Sequence, residues 1–214
     1  MSRRSGWQRA GLRRSCYCIG CRVKDGRIAP MSRWRTRSAM RLIRSQAGKW
    51  KIDPRRVAAM GFSAGGHLCG DLAARFARNA YAPVDSADAL DARPALAAPI
   101  YPVVSMDPAI AHAGSRSKLL GQAITSEMEI EHSVDRQITA GSPPCFLVHA
   151  EDDPVVPVEN SVRLRAALKA AKVPVEMHLF ETGGHGFDIR ATGGHAAIWL
   201  ELFSNWARSH GLFG

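Results

Sequence analysis

Apolar residues along this chain fall into two kinds of pattern. Residues 57–62, 94–101 and 144–150 are compact apolar runs rich in Val, Ile, Leu, Phe and Ala, and 175–180 (Val-Glu-Met-His-Leu-Phe) is a fourth candidate strand. Runs of this length, bounded by Gly, Pro and polar residues, predict buried strands. Between them the apolar positions recur every three to four residues. Ala39, Leu42, Ile43 and Ala47 mark a helix over residues 37–50, with Gly48 close to its end. Residues 64–78 and 158–171 read as further helices, and Ile198, Leu202 and Trp206 share one face of a closing helix over 196–209. Residues 53–56 read as a turn and 79–93 as a polar loop. Residues 102–142 are long and irregular, with short helices expected near 117–120 and 127–132. A segment of that length at that place is expected to cap a substrate pocket. Strands alternating with helices imply an α/β fold, a mostly parallel sheet with helices on both faces.

Composition sharpens this picture mainly at one end. A 46% apolar content suits a buried core. The overall charge of +10 is unevenly placed: residues 1–51 carry 12 Arg and 3 Lys against Asp25 alone, and the remainder is net acidic. Residues 1–36 are therefore read as a basic, poorly ordered extension and 37–214 as the folded domain. No basic stripe on a periodic helix and no nucleic-acid module is present, so nucleic acid is not an expected partner. No apolar run reaches the length of a membrane span, and the basic start lacks the apolar stretch of a secretory leader. No membrane association is expected, and a cytoplasmic location follows by default. Cys16, Cys18 and Cys21 lack a fourth ligand at a usual spacing, so no metal is expected. Cys69 and Cys145 lie in apolar stretches as small core residues.

The chemistry lies where strands end. Strand 57–62 runs into Gly61-Phe62-Ser63-Ala64-Gly65 and then a helical pattern. Gly-x-Ser-x-Gly in that context is a nucleophile elbow, a tight turn that lifts the serine hydroxyl above a sheet. The Ala64 N–H, at the helix start, is placed to donate to an oxyanion. Strand 144–150 delivers Glu151, Asp152 and Asp153; strand 175–180 is followed by Glu181-Thr182-Gly183-Gly184-His185-Gly186-Phe187. Functional residues of a doubly wound sheet gather at the carboxyl ends of its strands. A serine hydroxyl needs a histidine to take its proton, and a carboxylate to orient that histidine. The candidate set is Ser63, His185 and Asp153, with Asp152 as the competing acid and His195 as a weaker competing base. His67 is expected to pack beneath the site and His149 to be a core histidine; His112, His132, His178 and His210 carry no positional signal.

With these residues assembled, the chain resembles the serine α/β-hydrolases of the acetyl esterase and xylan esterase type, close to the bacterial feruloyl-esterase-like (BD-FAE-like) and dienelactone-hydrolase-like groups. Ile52-Asp53-Pro54-Arg55-Arg56-Val57 leading into Met60-Gly61-Phe62-Ser63-Ala64-Gly65-Gly66-His67-Leu68 carries the resemblance, with Ser142–Ser161 and Val173–Phe187. It spans about residues 38–210. It implies Ser63 as nucleophile, Asp153 as acid and His185 as base. It also implies hydrolysis of short acyl esters, often acetyl groups on sugars, on small-molecule or oligosaccharide substrates and without a cofactor. A peptidase, a thioesterase or a catalytically impaired remnant of the same fold are the alternatives. Residues 1–50 contain neither the earlier strands nor the His-Gly-Gly-Gly-like loop that supplies the second oxyanion N–H in the family. A chain truncated at its N-terminal side is the expectation that follows.

Overall fold

The computed structural model describes residues 31–79, 81–187 and 195–213. Most of the basic extension, with Cys16, Cys18 and Cys21, lies outside the described residues. Four strands form one parallel sheet: β1 (Ala59–Phe62), β2 (Ala97–Ile100), β3 (Cys145–Ala150) and β4 (Val175–Phe180). Their spatial order is their chain order. All four predicted runs are strands. β1 and β2 start later than their apolar runs, although the preceding residues still meet through the Ala95 N–H to Val57 O bond of 2.8 Å.

Among the described residues seven α-helices surround the sheet: α1 (Met31–Ser45), α2 (Ala47–Trp50), α3 (Ala64–Arg75), α4 (Ala113–Leu120), α5 (Ser126–His132), α6 (Glu159–Ala170) and α7 (Trp199–Ser209). Side chains alternate across the strands. Ala58, Met60, Ala98, Ile100, Phe146 and Val148 point to the face covered by Trp199, Phe203 and Trp206 of α7. Val57, Ala59, Ala97, Cys145 and Leu147 point to the other. There they meet Met40 and Ile43 of α1, Leu72 of α3, and Leu164 and Leu168 of α6. Helices α3 and α6 share a face because right-handed crossovers, laid down in one direction across a parallel sheet, all fall on the same side. The two-faced burial explains why β1, β2 and β3 read as continuous apolar runs, while β4, only partly buried, carries Glu176 and His178. The fold is α/β, a parallel sheet with helices on both faces, as the sequence pattern predicts.

Helix α1 begins at Met31, ahead of the expected start at Arg37. Its second turn buries polar groups. Thr36 and Arg37 are inside, with the Arg37 guanidinium donating to Arg75 O (2.7 Å) and to the Asp71 carboxylate (3.3 Å) on α3. The long segment after β2 carries α4 and α5. Its Val103, Met106, Leu119 and Leu120 pack with Leu68 of α3 and Val156, so it sits over the amino-terminal end of α3.

Candidate active site

The sheet register aligns the carboxyl ends of the strands. Phe62 lies opposite Ile100, Ile100 opposite Val148, and Ala150 opposite Phe180. Whatever follows each strand therefore emerges at one edge: Ser63, Tyr101, residues 151–153 and residues 181–187.

Ser63 occupies the turn between β1 and α3 at φ 53°, ψ −119°. Such a backbone costs of order 1–3 kcal/mol for a residue with a side chain, and it persists only where surroundings impose it. Here the Ser63 N–H donates to Ile100 O (3.0 Å), and Ser63 O accepts from His67 N–H (3.2 Å) and Val103 N–H (3.2 Å). Gly61 is required by space: a Cβ there would stand 2.1 Å from Gly65 O. Gly66 has the same reason, with Pro102 2.8 Å from its would-be Cβ. Ala64 is the first residue of α3, so its N–H belongs to the opening turn, where amides have no acceptor within the helix.

His185 reaches Ser63 from the loop after β4. Its Nε2 is 2.9 Å from Ser63 Oγ and its Nδ1 is 2.7 Å from Asp153 Oδ2. The flanking Gly184 and Gly186 have φ of +58° and +92°, a region that side-chain-bearing residues rarely enter, and this lets the loop turn the ring inward. The two candidate acids divide their work. Asp153 faces His185. Asp152 accepts the Gly183 and Gly184 N–H groups on Oδ1, at 2.8 and 2.7 Å, and so anchors the loop rather than the ring. The Asp153 side chain is fully buried whereas that of His185 is 19% exposed, so the histidine is the partner that a small molecule can approach.

Burial by itself raises the proton affinity of Asp153. The His185 ring and the Val156 and Val155 N–H groups, the latter on Oδ1 at 2.9 and 2.8 Å, outweigh it and hold the carboxyl below its usual range. An ionised carboxylate fixes Nδ1 of His185 as the protonated nitrogen, which leaves Nε2 to accept from the Ser63 hydroxyl. The arrangement can therefore take a proton from Ser63 Oγ as that oxygen attacks a carbonyl.

Three further groups were invisible to spacing arguments. Tyr101, at φ 34°, sets its ring edge-on to His185 (centroids 5.0 Å apart) and against Phe187 (4.7 Å). His112 caps α4, accepting from Ser115 N–H. Burial, then the charge of His185, lowers its proton affinity. His149, expected as a core histidine, touches Asp153 itself (Nε2 to Oδ2, 3.2 Å). His67 is buried with Nδ1 3.2 Å from Val103 O, beneath the elbow as expected. His195 opens a turn that leads into α7. Among the described residues no group of three His, Cys, Asp or Glu side chains is arranged to hold a metal ion, and no helix is long and apolar enough to cross a membrane.

Comparison with known proteins places these features in context. The BD-FAE family model matches residues 15–168. Endo-1,4-beta-xylanase B of Butyrivibrio fibrisolvens is 37% identical over 169 residues, covering 79% of this chain and 25% of that protein. The acetylxylan esterase of Xylanibacter ruminicola is 28% identical over 176 residues, covering 79% of this chain and 34% of that protein. Among solved structures, the acetyl ester-xyloside bifunctional hydrolase of Caldicellulosiruptor lactoaceticus superposes with a TM-score of 0.80 at 35% identity, over 85% of this chain and 66% of that one. The chain thus spans a quarter to a third of the length of these two curated relatives and about two thirds of that structure.

Proposed function

The chain belongs to the BD-FAE family, and on that footing we propose that it is a serine esterase that hydrolyses short acyl esters, acetyl esters of sugars or xylan fragments foremost. The observation that carries this reading is His185 bridging Ser63 Oγ at 2.9 Å and Asp153 Oδ2 at 2.7 Å. Two relatives, an acetylxylan esterase and an acetyl ester-xyloside bifunctional hydrolase, support the substrate class.

Ser63 Oγ attacks the acyl carbonyl carbon while His185 Nε2 takes its proton. The carbonyl oxygen becomes an oxyanion that accepts from Ala64 N–H. The C–O bond to the alcohol then breaks, the alcohol oxygen taking the proton from His185, and an acyl-Ser63 ester remains. Water, deprotonated by His185, attacks that ester, and the acid leaves as the proton returns to Ser63. Asp153 stays ionised throughout, offsetting the charge of the imidazolium.

A fluorophosphonate probe is expected to label Ser63 in the folded chain, and Ser63→Ala to abolish both labelling and turnover of p-nitrophenyl acetate. Absence of labelling in folded protein would overturn the reading. Release of acetate from acetylated xylan, compared with hydrolysis of p-nitrophenyl butyrate, tests the substrate class.

A further inference from the structure

The side of Asp153 turned away from His185 is held by a second histidine. His149, on β3, is fully buried. Its Nε2 lies 2.9 Å from Val156 O and 3.2 Å from Asp153 Oδ2, and its Nδ1 lies 2.8 Å from Ser161 Oγ, itself buried in the first turn of α6. A carbonyl oxygen only accepts, so Nε2 carries the hydrogen. Burial is the largest influence on this ring and favours its neutral form. Nδ1 is then bare and accepts from the Ser161 hydroxyl, so three elements of the fold settle one tautomer.

The consequence falls on the acid. Asp153 Oδ1 is occupied by the Val155 and Val156 N–H groups. Oδ2 faces His185 on one side and His149 on the other. The single Nε2–H of His149 is shared between Oδ2 and the Val156 carbonyl, so it ties the carboxylate to the backbone of its own turn. We propose that His149, oriented by Ser161, is a positioning residue for the reaction: it fixes the plane of the Asp153 carboxylate and, through it, the ring of His185. The proposal rests on the reading of Ser63, His185 and Asp153 as the reacting set. A leucine would fill the same core position without needing a hydroxyl partner, so packing alone gives no reason for this network.

The test uses the full chain with three variants: His149→Leu, His149→Gln and Ser161→Ala. Thermal melts establish that each is folded. Two quantities are read, kcat and KM for p-nitrophenyl acetate, and the low-field proton resonance of His185 Nδ1–H, which requires no turnover. H149L is expected to lower kcat about 10- to 100-fold, as small displacements of a catalytic group do, with KM little changed, and to shift or broaden the resonance. H149Q, whose amide hydrogens can reach both Val156 O and Asp153 Oδ2, is expected to restore the resonance and most of kcat. S161A is expected to fall between. Parent-like kcat and resonance in H149L would overturn the proposal, as would an H149Q no better than H149L. If H149L does not fold, parent-like values in S161A would overturn it instead. A parent chain that neither turns over ester nor labels would defeat the esterase reading, while the resonance comparison would still decide the role of His149.

Discussion

At the scale of single residues, the site depends on atoms that have no room to move. Gly61→Ala would place a methyl carbon 2.1 Å from Gly65 O, a backbone atom of the turn that carries Ser63. Relief requires the elbow itself to open, so the substitution is expected to cost at least about 2 kcal/mol and to lower the melting temperature with loss of esterase activity. The adjacent acids separate cleanly. Asp153→Asn removes the charge facing His185 Nδ1 and permits the wrong tautomer, and kcat is expected to fall by about 10⁴. Asp152→Asn keeps an amide oxygen able to accept the Gly183 and Gly184 N–H groups, and is expected to retain most of kcat. Steady-state kinetics of the two variants, each verified as folded, assign the acid. The reverse ranking would move it to Asp152.

At the scale of elements, the same face that carries the apolar core is fastened at its rim by charge. Asp71 on α3 is buried between the guanidinium groups of Arg37 on α1 and Arg75, and Arg75 also donates to Glu131 O at the end of α5. Asp71→Ala leaves buried guanidinium groups without their carboxylate. It is expected to cost about 3–5 kcal/mol, measured by chemical denaturation, with Ser63 labelling intact in the fraction that remains folded. This cluster also accounts for the early start of α1. A hydrophobic pattern marks only the part of a helix that buries carbon, whereas Arg37 buries a guanidinium whose partners, Asp71 and Arg75, lie 34 and 38 residues away. Helices α3, α6 and α7 were legible because each shows an apolar stripe over most of its length. The segment after β2 kept only its two short helices legible, since its packing against Leu68 and Val156 is a contact between distant parts of the chain.

At the scale of the whole molecule, buried groups shape the pH range of stability at both ends. His149 binds its proton more weakly in the native state than its ordinary value of 6.5, chiefly through burial. Below about pH 6.5 the unfolded chain therefore holds more protons, and stability falls as pH drops through that value. Cys145 has its thiol pushed up by burial from 9.0 to about 12. Above about pH 9 the native chain holds the extra proton, and stability falls as pH rises towards 12. Thermal melts across pH are expected to show a plateau between these limits, with His149→Gln flattening the acid side and Cys145→Ala the alkaline side. What the sequence by itself determined is local in origin: four strands, the helices between them, the elbow at Ser63, and the chain order of serine, acid and histidine. Those features follow from apolar runs, helical periodicity and glycines in tight turns, all of which act between near neighbours. Only the tertiary structure decided that Asp153 faces His185 while Asp152 holds its loop, that Tyr101 presses on the ring, and that His149 and Ser161 stand behind the acid. Adjacent residues such as Asp152 and Asp153 are equivalent to any spacing rule. Their roles diverge because the register of a parallel sheet brings Gly183 and His185, some thirty residues on, against one and then the other.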